Sequence, residues 1–126
     1  MSLKITLIEN GSTPNDERIR LQATNNINTK GYAIVDRTFD EHGDISNEFR
    51  HIYILPSIDL KKDEQIIIFI GSGEYEKMKF DDSDNYYHAC YWGSKHCILN
   101  DTGGDTITLI KYNVVASKKA PAIDQK

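Results

Sequence analysis

Cysteine occurs twice in these 126 residues, tryptophan once, methionine twice and proline three times. Two cysteines cannot build a disulfide scaffold. Three prolines, at positions 14, 56 and 121, leave long stretches open to sheet formation. Long apolar runs are missing as well. The longest is Ile66-Ile67-Ile68-Phe69-Ile70, far below the about 18 residues of a membrane-crossing helix. So is a basic excess: 15 Lys and Arg stand against 19 Asp and Glu, for a net charge of −4. A domain that grips phosphates needs positive charge, so nucleic acid is not an expected partner. No basic region followed by an apolar stretch opens the chain, so no signal peptide is expected. Met1-Ser2-Leu3 is equally compatible with a domain cut from a longer protein, and the compartment stays unknown.

What is present is isoleucine. There are 17 Ile and 7 Leu but only 3 Val, with 7 Tyr and 4 Phe. β-branched and aromatic side chains fit a pleated surface, so this set favours strands. The length fits one domain, which buries roughly two-thirds of its surface and folds without staples.

The periodicity is two. Leu3, Ile5 and Leu7 alternate with polar residues, and Asn10 to Asp16 breaks the pattern. Ile19 and Leu21 alternate with Arg18 and Arg20. Gly31 restarts the chain after a turn near Asn25-Asn26. Tyr32 and Ile34 then share one strand face and Ala33 and Val35 the other. Phe49 to Leu55 reads as a strand closed by Pro56, which cannot donate to a ladder. Gln65 to Ile70 is apolar on both faces, which predicts a central strand. Glu74 to Asn85 reads as a long loop with at most a short helical turn. Tyr86 to Trp92 reads as a strand or a packed loop. Asn100 to Asp105 is a turn cluster, and Thr106 to Asn113 is a last alternating strand. The expectation is an all-β fold: an immunoglobulin-like antiparallel β-sandwich of about seven to nine short strands. Residues 1–116 form its single domain, and 117–126 form a polar flexible tail.

Four blocks carry a family resemblance. They are Glu17-Arg18-Ile19-Arg20-Leu21 with Asn25; Ile27 with Lys30 to Asp36; Tyr53-Ile54-Leu55-Pro56, Ile58, Leu60 and Asp63 to Gly71; and Trp92, Leu99 to Asp101, and Gly104 to Ile107 with Leu109. In order and spacing they resemble the lamin tail domain, an immunoglobulin-like β-sandwich, over residues 17–112. Three departures stand out: the family usually has Trp where Tyr32 stands and Gly where Asp63 stands, and an extra Gly103 lies beside Gly104. The resemblance implies a non-catalytic binding or scaffolding module that mediates protein or envelope interactions, without a cofactor. A protein partner is therefore expected. An exposed edge strand would also permit a homodimer by β-addition.

Several motifs are weighed against plainer readings. Gly71-Ser72-Gly73-Glu74-Tyr75-Glu76 lacks the third Gly of a dinucleotide fingerprint and reads as a strand-ending loop. No Gly-x-Ser-x-Gly elbow occurs. His88, Cys90, His96 and Cys97 are four zinc-type ligands within ten residues. Adjacent His96 and Cys97 suit one tetrahedral ion badly, so no metal site is assigned. A small metal-dependent enzyme built on that cluster is the third reading of the chain. A Cys90–Cys97 disulfide needs an oxidising compartment, and two ordinary thiols are the leading reading. Asp81-Asp82-Ser83-Asp84-Asn85 offers oxygen ligands without the Gly and bidentate Glu of a calcium loop, and reads as a solvated acidic loop. Asn10-Gly11-Ser12 and Asn100-Asp101-Thr102 fit the glycosylation pattern and are also turns.

Tyr86, Tyr87, Tyr91 and Trp92 are the one aromatic-rich segment and the candidate ligand-binding residues. Outward rings would make a platform for sugar or peptide. The plainer reading is core packing, since alternation puts Trp92 opposite Tyr91. The alternative function is accordingly a carbohydrate-binding accessory domain using Tyr86 to Trp92, with or without calcium. No catalytic residue is assigned.

Overall fold

Alternate burial along β2 (Arg18–Ala23) follows its sequence: Ile19, Leu21 and Ala23 are sealed, while Arg18, Arg20 and Gln22 face outward. The same rule organises a fold that is all-β. A computed structural model describes residues 2–39, 45–79, 86–99 and 106–123, and for 37–39 and 45–50 it describes the backbone alone. Among the described residues ten strands form three sheets. They are β1 (Leu3–Glu9), β2, β3 (Ile27–Asn28), β4 (Tyr32–Phe39), β5 (Ile45–Ile54), β6 (Asp59–Leu60), β7 (Gln65–Phe69), β8 (Glu76–Lys79), β9 (Tyr86–Tyr91) and β10 (Thr106–Lys111). One 3-10 turn, Pro14–Asp16, lies where the Asn10 to Asp16 break was expected.

A five-stranded sheet runs β1-β2-β7-β9-β8, a three-stranded sheet β10-β4-β5, and a two-stranded ribbon β3-β6. Strand β7 is central, as its two apolar faces predict. Its neighbours pair Leu21 with Ile66 and Ile66 with His88, then Ile19 with Ile68 and Ile68 with Cys90. These inward rows meet Tyr32, Ile34 and Ile107 of the other sheet in one core, with Leu55, Ile58 and Leu60 alongside. Burying that much branched aliphatic surface is the main stabilising term, at about 25 cal/mol per Å² of apolar area.

One pair departs from the antiparallel rule: β7 and β9 are parallel. Parallel neighbours need a crossover. Here β8 supplies it, lying beyond β9 and returning antiparallel to it. The expected loop at Glu74 to Asn85 therefore contains a strand. All four β8 residues are exposed, because it is an edge strand paired only to β9, so no burial alternation marks it. The expected acidic loop, Asp81 to Asn85, and the turn cluster from Asn100 to Asp105 lie outside the described residues.

Turn chemistry follows the residues. Gly31 has φ +88°, in a turn where the Tyr32 N–H donates to the Thr29 carbonyl at 3.2 Å. Asp63 has φ +75° and is the one described non-glycine residue in that region. It sits third in the Lys61–Glu64 turn, a position that a type II turn reserves for Gly or Asn.

Candidate functional site

The strand pleat splits the aromatic segment. Tyr86, His88 and Cys90 share the inner side of β9, and Tyr87, Ala89 and Tyr91 share the outer side. Trp92 returns inward and packs on Tyr53 with ring centroids 5.4 Å apart. Tyr91 stacks on Phe69 across the β7–β9 pair at 5.0 Å. The Arg18 guanidinium lies over the other end of that row, 5.3 Å from the Phe69 centroid. Gly73 lies against the Tyr91 ring so closely that a Cβ there would come within 2.4 Å of it. The Tyr87 hydroxyl donates to Met78 Sδ at 3.0 Å. Tyr86 lies under the Lys77 ammonium, 4.4 Å from its centroid. Each of the four rings is half-buried, and they do not share one face.

The zinc-type residues are likewise separated. His88 and Cys90 point into the core, Cys97 is half-buried, and His96 is exposed in the segment after β9. No disulfide joins Cys90 and Cys97. Among the described residues no group of three or more His, Cys, Asp or Glu side chains is placed to hold a metal ion. Burial pushes the Cys90 thiol up to about 11. Burial also raises the Tyr53 hydroxyl, with which Cys90 shares a hydrogen bond. A thiol this reluctant to ionise is a packing residue rather than a nucleophile.

The inner side of β9 opens on a polar cluster. His88 is 2 % exposed, and its Nδ1 lies 2.5 Å from the Tyr75 hydroxyl. Its Nε2 lies 4.0 Å from Glu64 Oε1. Glu64, also buried, accepts the Lys61 N–H on Oε1 at 2.9 Å and the Tyr86 N–H on Oε2 at 3.1 Å. Desolvation holds the His88 imidazole below its ordinary value, partly opposed by Glu64. Burial, then Cys90 and Glu64, raises the Tyr75 hydroxyl.

Sequence reading named His88 only as a metal ligand, and it missed Tyr75 and Glu64. The available signal was Glu64 directly before an apolar strand, a place where a buried carboxylate can clasp backbone N–H groups. Compared with protein-family models, curated proteins and solved structures, the chain matches none.

Proposed function

We propose that this chain is a non-catalytic binding or scaffolding module of the lamin-tail type, acting through a protein partner. What carries the reading is the outer face of the β10-β4-β5 sheet. Two cross-strand rows cover it, Ile110–Ala33–Ile54 and Thr108–Val35–Ile52. Ile52 and Ile54 are 51 % and 59 % exposed. Adjacent exposed isoleucines on one sheet face are the kind of patch that marks an interaction surface. They also belong to β5, which pairs with β4 alone among the described strands. A ten-residue edge strand is a template for antiparallel β-addition, by a partner or by a second copy.

Light scattering across a wide concentration range tests the self-pairing form. A mass that rises with concentration and reverts in Ile52→Ser/Ile54→Ser, without a change in thermal midpoint, supports it. A strictly monomeric mass removes it. A carbohydrate-binding role is the alternative, and the observation favouring it is the cleft beside Tyr86 rather than an open platform of four rings.

A further inference from the structure

His88 leaves one polar atom unaccounted for. Its Nε2 is buried and has no hydrogen-bond partner among the described residues. The neighbouring carboxylate of Glu64 favours the tautomer with the proton on Nε2, so that Nδ1 accepts from the Tyr75 hydroxyl. At 4.0 Å the Nε2–H is too far from Glu64 Oε1 for a hydrogen bond. A buried donor without an acceptor costs stability, so such an atom calls for a reason.

Two hollows lie beside this pair, one lined by His88 and the other by Glu64. One, of about 370 Å³, is lined by Ser57, Asp59, Tyr75, Lys77 and His88 among others. The other, of about 520 Å³, is lined by Asn26, Asn28, Asp59, Glu64, Lys77 and Tyr86 among others. Asp59 and Lys77 line both. Lys77 stands directly opposite His88 in the β8–β9 pair, and its ammonium rests on the Tyr86 ring.

We propose that the two hollows are one site for a neutral polyhydroxylated ligand, a sugar unit, whose hydroxyl engages both His88 Nε2 and Glu64 when Lys77 swings off Tyr86. The chemistry of the gap selects the ligand. A donor on one side and a carboxylate on the other suit a group that accepts and donates at once, and a hydroxyl is that group. An anion is repelled by Glu64, and an ammonium cannot accept from Nε2–H. The formal charges around the mouth cancel, with Asp59 and Glu64 against Lys61 and Lys77. Tyr75, 52 % exposed, and Tyr86 offer ring faces to the apolar side of a sugar. Asn28 Nδ2 donates to Asp59 Oδ1 at 2.8 Å, which fixes that carboxylate at the rim. The hollows are within the usual range for small-molecule sites, about 300–1,000 Å³. The site stands apart from Ile52 and Ile54, so it does not rest on the protein-partner reading.

The test is an amide-resolved NMR titration of the whole chain with glucose, galactose, mannose, xylose and N-acetylglucosamine and their short oligomers, beside acetate and phosphate. The expected result is saturable shifts from at least one neutral sugar, confined to residues 26–28, 57–61, 75–77 and 86–88. Asp59→Ala, which removes a charged acceptor at the rim, and Tyr75→Ala, which removes a ring face, should each weaken that binding by roughly tenfold. Asp59 and Tyr75 are exposed, so both variants should keep the native spectrum. Lys77→Ala should bind at least as well, and Val115→Ser, in the exposed tail, should bind unchanged. Absence of saturable shifts with every sugar overturns the proposal. So does binding that survives both weakening variants, or a preference for acetate or phosphate. None of these failures bears on the self-pairing measurement.

Discussion

The carboxylate of Glu17 holds Ile98 across 81 residues of chain, accepting its backbone N–H at 2.8 Å. The other oxygen takes the Leu99 N–H at 3.0 Å. Glu17 is 0 % exposed and sits at the entry to β2, so this one side chain ties the first inner strand to the segment after β9. Glu17→Ala would leave two buried N–H groups without acceptors. The expected loss is about 2–6 kcal/mol, from two unsatisfied donors at about 1–3 kcal/mol each. Glu17→Gln keeps one good acceptor and should cost less than half as much. Urea unfolding of the three proteins checks the order, and an alanine variant as stable as the parent would remove the role.

How far such features are legible in sequence depends on which side of the chain carries the information. Apolar alternation marks β2 and β10, and the two-sided apolar run at Gln65 to Ile70 marks the central strand. Each of these signals is read from the residues that do the packing. Glu17 gives no such signal. A lone acid reads as surface, and its burial is decided by N–H groups more than eighty positions away. Strand β8 fails for the opposite reason: exposed on both faces, it has nothing to alternate. The site shows the same division. The aromatic content of Tyr86 to Trp92 is visible, but the pleat decides which rings face each other. His88 acquires its meaning only from Tyr75 and Glu64, brought in by the β8 crossover and the turn before β7.

Asp63 carries the second expectation. A residue with a Cβ is disfavoured at φ +75°, although Asp tolerates the left-handed region better than most. The side chain is exposed and no described contact depends on it. Asp63→Gly should therefore be stabilising by about 0.5–1 kcal/mol, the relief of strain outweighing the entropy of a freer unfolded chain. Gly31→Ala is the converse. It would place a Cβ at φ +88° and 3.3 Å from the Tyr112 carbonyl, and should cost about 1–2 kcal/mol. Denaturation midpoints moving in opposite directions would bear this out, and a destabilised Asp63→Gly would refute the strain argument.

The third expectation concerns pH. Burial lowers the His88 imidazole in the folded chain, whereas in the unfolded chain it titrates near its ordinary 6.5. Between those two values the unfolded state binds the extra proton. Folding stability from this group is therefore complete above pH 6.5 and falls as pH drops toward the depressed folded value. The slope approaches about 1.4 kcal/mol per pH unit for one proton. Glu64 limits the drop, because it favours the imidazolium that desolvation opposes. Urea titrations on both sides of that pH should show the decline, and it should flatten in His88→Gln, which has no proton to take up. The His88 ring signals should meanwhile report a neutral imidazole at a pH where a solvated histidine is already half charged. An imidazole that titrates at or above its ordinary value would mean that Glu64, not burial, governs this site.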